Sequence, residues 1–254
     1  EYEFHPNETI SRIYNRLIEG DVVLKSVTIP EGLNSIEIAD LLDEKGLFDR
    51  QDFIDVLNNK SLVKELLGEH TDSFEGYLFP DTYSYTDDLT PEQLIRMMTK
   101  QFNRVVSSLD MNSNWLQLSE EEILILASMI EKEAGNENER EIISAVFHNR
   151  LMKGMKLESD PTVIYGLGES YDGNLTKGHL NTSTEYNTYT NLGLPPGPIS
   201  NPGKESIVAA LNPAKVDYLY FVSKGDGSHE FSTNYSDHQR AVYEYQKRRN
   251  MPQD

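Results

Sequence analysis

One segment constrains the fold more than any other. Ile123-Leu124-Ile125-Leu126-Ala127-Ser128-Met129-Ile130 is apolar at every position but Ser128. It follows Ser119-Glu120-Glu121-Glu122, the pattern of a capping box with Ser119 as N-cap and Glu122 three residues on. It runs into Glu131-Lys132-Glu133-Ala134 and meets Gly135, which reads as a left-handed cap. A helix that is apolar around its whole circumference must be covered on most sides by other elements. A chain of 254 residues can supply that cover, as one large domain or two smaller ones. The segment is far short of the roughly 20 apolar residues that span a bilayer. The chain starts at Glu1 rather than Met, so these residues leave open a removed leader or N-terminal anchor.

The elements around this helix follow from periodicity. His5-Pro6-Asn7 leads into a helical pattern (Ile10, Ile13, Tyr14, Leu17, Ile18) stopped at Gly20. Val22-Val23-Leu24 and Val27-Thr28-Ile29 read as strand. Ile36, Ala39, Leu41 and Leu42 then form a second helical pattern, capped by Asn34 or Ser35 and stopped at Gly46. Helical spacing continues over Phe48–Leu66. The segment Thr71–Tyr85, dense in aromatic residues with Gly76 and Pro80, breaks the pattern, so an organisational boundary is placed near residue 70. Helices are predicted over Pro91–Leu109, Glu139–Met152 and Ser206–Leu211. Met155–Gly203 lacks regular periodicity, and a loop region of that length in a compact domain is usually functional or disordered. Its aromatic content argues against disorder. Asp217–Ser223 reads as a strand that pairs with Glu230-Phe231-Ser232 across Gly225-Asp226-Gly227. Ser236–Arg249 reads as a polar terminal helix.

Composition removes several function classes. Lys and Arg total 23 against 42 Asp and Glu, a net charge of −19, which repels nucleic-acid backbones and anionic lipid surfaces. With no cysteine there is no thiol nucleophile and no Cys-based zinc site. No P-loop, Gly-x-Ser-x-Gly elbow or His-Glu-x-x-His motif occurs. His229, Asp237 and His238 lack a metal-site spacing, so hydrogen bonding is their expected role, and neither metal nor other cofactor is expected.

Two candidate chemistries remain. Glu131 and Glu133 are two residues apart at ~100° per residue, so they face nearly opposite sides of the helix. Glu133 continues the stripe of Leu126, Met129 and Ile130. A carboxyl against apolar side chains keeps its proton to higher pH, as a general acid at neutral pH requires. The plainer reading leaves both residues where the helix emerges into solvent, partnered by Lys132 and Arg140. The Tyr-, Asn- and Pro-rich loop offers flat apolar rings and hydrogen-bonding groups that suit sugars. Rigid loop packing accounts for the same composition.

The motifs also carry a resemblance. Glu75-Gly76-Tyr77-Leu78-Phe79-Pro80-Asp81-Thr82-Tyr83, Ala127-Ser128-Met129-Ile130-Glu131-Lys132-Glu133, Val146-Phe147-His148-Asn149-Arg150-Leu151, Asp160-Pro161-Thr162-Val163-Ile164-Tyr165-Gly166, Tyr186-Asn187-Thr188-Tyr189 and Gly193-Leu194-Pro195-Pro196-Gly197 occur in this order. Over roughly residues 71–245 the chain resembles the MltG-type (YceG-like) endolytic murein transglycosylases of bacteria.

The resemblance implies an α+β fold with residues 1–70 as a LysM-like N-terminal region, its first unit truncated. Residues 71–254 would be a larger α+β catalytic domain with a buried central helix and a modest antiparallel sheet. It implies cleavage of the β-1,4 bond between N-acetylmuramic acid and N-acetylglucosamine, leaving 1,6-anhydro ends and terminating nascent strands. One carboxylic acid would serve twice in this scheme, first protonating the glycosidic oxygen and then accepting the 6-hydroxyl proton. The expected partners are peptidoglycan strands, with peptidoglycan synthases as neighbours, at the extracytoplasmic face of the cell membrane. Glu133 is the implied catalytic residue and Glu131 the runner-up. Asn149, Asp160, Thr162, Tyr186, Asn187 and Tyr189 are candidates for the glycan groove, with Glu75 and Tyr77 on its far wall. A lysozyme-type hydrolase using Asp160 or Glu75 as second carboxylate, and a non-catalytic peptidoglycan-binding scaffold, are the rival expectations.

Overall fold

A computed structural model describes residues 6–19, 24–69, 71–111 and 114–247. The first helix, α1, spans Ile10–Glu19. His5, Gly20 and the Val22-Val23 part of the first predicted strand lie outside the described residues. Strand β1 (Lys25–Thr28) precedes α2 (Ser35–Glu44), whose cap is Asn34: its side chain accepts from the Ile36 and Glu37 N–H groups, and Glu37 reaches back to the Asn34 N–H. The helical spacing over 48–66 divides into α3 (Arg50–Leu57) and α4 (Lys60–Leu67), because Asn58 closes one helix and Asn59 caps the next.

The Thr71–Tyr85 segment ends in a strand that its aromatic texture concealed. Strand β2 (Thr82–Tyr85) pairs antiparallel with β1, Lys25 opposite Tyr85 and Thr28 opposite Thr82. This ladder crosses residue 70. Helix α5 (Pro91–Val106) follows, with Leu94, Ile95, Met98 and Phe102 buried on the predicted face.

Helix α6 (Glu120–Glu133) has the expected capping box and buries every residue from Ile123 to Ile130. Each large aliphatic side chain so covered contributes about 1.5–3 kcal/mol, an upper figure because unfolded chains also hide apolar surface. The cover comes chiefly from α10 (Lys204–Leu211) and α7 (Arg140–Met152). Gly135 does not take the left-handed conformation: Ala134 caps α6 with an extended backbone. Gly135 is small for another reason. A Cβ there would lie 2.9 Å from the Gly227 carbonyl oxygen, so the exit of α6 touches the backbone of a distant turn.

The irregular 155–203 region holds two helices that periodicity did not reveal, α8 (Asp160–Leu167) and the single turn α9 (Lys177–Leu180). Its loops are knotted by side chains. Asn187, fully buried, donates to the Leu180 and Thr182 carbonyls and accepts from the Tyr189 N–H. The Pro-Gly run packs directly on α6: the Ser128 hydroxyl accepts from the Ile199 N–H, and the Ser200 hydroxyl donates to the Ser128 carbonyl. Gly76, at φ +87°, is required here, because a Cβ would fall 2.6 Å from Pro198. Buried Asn201 bonds the backbone of Leu33 and Leu78 and the carboxylate of Glu75, joining the segment before α2 to the rest. The chain ends in a hairpin and a helix. Strands β3 (Tyr220–Ser223) and β4 (His229–Ser232) pair antiparallel with Phe221 opposite Phe231. Helix α11 (Tyr235–Val242) continues as a π-helical turn to Lys247. Among the described residues the sheet content is two separate two-stranded ladders.

Candidate active site

The last turn of α6 sends its two carboxylates to different places, as the ~100° per residue rotation requires. Glu131 turns toward α10. Its carboxylate accepts from the Gly203 N–H at 3.0 Å, at the N-cap of that helix, and lies 3.5 Å from the Arg140 guanidinium. An anion at a helix N-terminus beside a cation is fully employed in holding the fold. Lys132 reaches away to the Gly32 carbonyl.

Glu133 turns the other way, into a cleft of about 460 Å³. The cleft is bounded by Arg150 from α7, by Leu157, Glu158, Asp160 and Tyr189 from the long loop region, by Phe221 and His229 from the hairpin, and by Tyr235 and His238 from α11. One hydrogen bond holds the carboxyl: the Ser159 hydroxyl donates to Glu133 Oε1 at 2.7 Å. Burial pushes Glu133 up to about 7. The Ser159 bond acts against the shift, and the neighbouring charge of Asp160 adds to it. A carboxyl titrating near 7 is about half protonated at neutral pH, the range in which a general acid works.

Ser159 is aimed by its surroundings. It occupies the N-cap of α8, yet its side chain makes no cap bond and serves Glu133 instead. That forgoes about 1 kcal/mol of capping. Its N–H donates to the Thr188 hydroxyl, and its carbonyl accepts from the Thr162 hydroxyl, which also bonds Thr188. Glu158, just before it, sits at φ +50°, a left-handed conformation that costs a non-glycine residue of order 1–2 kcal/mol. Arg150 stabilises that turn. Its guanidinium donates to the Leu219, Lys156 and Leu157 carbonyls and to the Glu158 carboxylate, and it lies over the Tyr220 ring.

Of the residues read from the sequence, Glu133, Asp160 and Tyr189 come together at this cleft, with the Tyr189 hydroxyl donating to Asp160 at 2.6 Å. The others do not line it. Asn149 is buried and donates to the Val216 and Tyr218 carbonyls, Thr162 supports Ser159, and Asn187 knots its loop. Tyr186 packs on Tyr165. Tyr77 stacks edge-on against Phe102 and is close enough to Glu121 and Glu120 to feel their charge, at the opposite end of α6 from Glu133. Glu75 is a second carboxyl that burial pushes up to about 7. It accepts from the Ser35 N–H, the Tyr165 hydroxyl and Asn201, which spends its acceptor capacity on joining α2 to α8. Sequence reasoning missed Glu158, Arg150, His229 and His238 as members of the cleft, and Ser159 as the partner of Glu133. Ser159 hides as an apparent cap, and the others come from positions remote from Glu133 in the chain.

The fold and this cleft define an α+β protein with a carboxyl that burial pushes up to about 7 at the edge of an aromatic- and carboxylate-lined cleft. The model of the YceG-like family matches residues 1–244, and the chain belongs to that family. It is 36% identical over 233 residues to the endolytic murein transglycosylase of Bacillus subtilis strain 168, covering 86% of this chain and 64% of that protein. It is 31% identical over 248 residues to the enzyme of the same description from Streptococcus pneumoniae strain D39, covering 88% of this chain and 45% of that one. The chain thus spans less than two thirds of the length of either relative. A crystal structure of a YceG-like protein from Listeria monocytogenes aligns with a TM-score of 0.75 at 35% identity, over 94% of this chain and 83% of that one.

Proposed function

We propose that this chain is the catalytic part of an endolytic murein transglycosylase. It acts on the bond between N-acetylmuramic acid and N-acetylglucosamine in peptidoglycan strands, with Glu133 as the acid. Glu133 gives its proton to the bridging oxygen, and the bond to the muramic C1 breaks. The muramic C6 hydroxyl closes onto C1 and passes its proton to a base in the cleft, leaving a 1,6-anhydro end. Because the nucleophile belongs to the substrate, much of the rate comes from holding it in reach. The observation that carries this reading is the Glu133 carboxyl lining the cleft, bonded at Oε1 by the Ser159 hydroxyl and pushed up by burial to about 7. Asp160 and Tyr189 contact the glycan. The names of the bacterial relatives support the substrate class.

The same proposal places the protein outside the cytoplasm, where peptidoglycan lies, anchored in the membrane and beside the synthases whose nascent strands it terminates. Residues 1–70 act as the LysM-like unit and residues 71–254 as the catalytic unit.

Asp160 in the same cleft as Glu133 favours one competing reading, a two-carboxylate hydrolase. Mass spectrometry of the products from purified glycan strands decides between them. Anhydro ends are expected, and ends heavier by one water would replace the proposal with the hydrolase.

The Ser159 bond gives a separate prediction. That bond favours the ionised carboxyl, so Ser159→Ala pushes the Glu133 pKa up further. The alkaline limb of the kcat/KM profile should then move to higher pH, by about half to one pH unit for a bond worth roughly 1 kcal/mol. An unmoved or lowered limb would show that Glu133 is not the group whose proton governs turnover.

A further inference from the structure

Glu139 and His229 form a second chemical unit at the edge of the same cleft. His229 Nδ1 lies 2.8 Å from Glu139 Oε2, and the His229 N–H donates to Glu139 Oε1 at 3.1 Å, so one carboxylate grips both the ring and its backbone. Both side chains are largely buried, at 9% and 13% exposure. The Phe221 ring stands edge-on to the imidazole at 5.4 Å and fixes its plane. With Nδ1 committed to Glu139, the proton on that nitrogen is set, and Nε2 is left at the opposite edge of a ring that lines the cleft. Nε2 has no hydrogen-bond partner among the described residues.

The backbone brings this unit to Glu133. Gly135 is two residues past Glu133, and Gly227 is two residues before His229. These glycines touch: a Cβ on Gly135 would lie 2.9 Å from the Gly227 carbonyl oxygen. Glu139 leaves the same turn that follows α6. The exit of the acid-bearing helix and the start of β4 are therefore held side by side.

We propose that His229 is a catalytic residue, the base that takes the proton from the muramic C6 hydroxyl, with Glu139 as its positioning residue. This rests on the transglycosylase reading. In that reaction the departing and the attacking oxygen occupy the same face of C1, so donor and acceptor must be neighbours on one wall. The bond from C1 to the bridging oxygen breaks as Glu133 protonates that oxygen. The bond from C1 to O6 forms as the O6 proton passes to His229 Nε2. Glu133 is left anionic and His229 cationic, and the proton returns between them through cleft water before the next turnover. Two groups let delivery and removal of protons overlap, whereas a single carboxyl must complete one before starting the other. The Glu139 carboxylate stabilises the imidazolium, as a buried acid does behind a catalytic histidine.

The test compares the parent chain, His229→Ala, His229→Gln and Glu139→Gln on purified glycan strands, with product mass and circular dichroism for each. Folded His229→Ala should lose at least 100-fold in formation of anhydro ends, and free imidazole should restore at least tenfold of that. His229→Gln should raise the share of ends carrying an extra water, because O6 then competes less well for C1. Glu139→Gln, which keeps the ring, should lose about tenfold in kcat with little change in KM. Turnover within threefold of the parent in either His229 variant would overturn the proposal. So would a loss in His229→Ala that imidazole does not restore while Glu139→Gln behaves as the parent, since the ring would then serve packing alone. If the parent chain itself yields no anhydro ends, the transglycosylase reading has failed rather than the role of His229.

Discussion

Glu133→Gln should reduce cleavage of glycan strands about 10³-fold or more, while Glu131→Gln stays within about tenfold of the parent. The contrast follows from what each carboxylate touches. Glutamine at 133 can still accept from Ser159, so the cleft keeps its shape, but it has no proton to deliver. Glutamine at 131 still accepts from the Gly203 N–H and loses only its charge beside Arg140, which should cost about 1–2 kcal/mol of stability. The two variants should also part in their response to pH. The Glu133 carboxyl titrates near 4.3 when unfolded and at about 7 when folded. Between those values the folded chain holds a proton that the unfolded chain has lost, so this group costs progressively more stability as the pH rises through that window. Glutamine carries no such cost. Glu133→Gln should therefore be more stable than the parent at pH 8, by about 3 kcal/mol, and equal to it near pH 4. Denaturant melts at both pH values check this. If the stabilisation is absent at pH 8, burial does not hold Glu133 protonated. If only Glu131→Gln is inactive, the acid has been misassigned.

The largest loss of stability is expected from Arg150→Ala. The guanidinium is almost fully buried and donates to three carbonyls and one carboxylate, gathering the end of α7, the 156–158 turn and the approach to β3. Alanine leaves those acceptors without a donor in a closed space, at about 3–5 kcal/mol. For a chain of this size that lowers Tm by about 10 °C. Lysine should recover less than half, since one ammonium cannot reproduce a planar fork of donors. Activity should fall with stability, because the same bonds hold Glu158 in its left-handed turn and so aim Ser159 at Glu133. A Tm within 3 °C of the parent would mean that the turn is held by other contacts.

The legible part of this protein was what adjacent residues impose on one another. The Ser119 capping box, the burial of Ile123–Ile130, the pairing of β3 with β4 and the opposed directions of Glu131 and Glu133 all depend on local spacing, and each is as the residues imply. The failures share a cause. Helix α8 was unreadable because Asp160-Pro161-Thr162 resembles a turn, and β2 because its partner lies more than fifty residues earlier. Gly135 looked like a helix cap and proves to be a point of backbone contact with Gly227.

For the cleft the division is sharper. Sequence alone gave the chain a buried helix with a carboxyl on its apolar stripe, because side-chain chemistry and a 3.6-residue period decide both. It also offered Glu75, Tyr77, Asn149, Thr162, Tyr186 and Asn187 for the glycan groove, and residue type could not separate groups that face the cleft from groups that tie the loops around it. Only the tertiary structure made that separation. Whether a carboxyl keeps its proton depends on what excludes water from it and which hydroxyl or cation reaches it. Those neighbours, Ser159 for Glu133, Gly203 and Arg140 for Glu131, and Ser35, Tyr165 and Asn201 for Glu75, are brought together by long-range packing that no local pattern encodes.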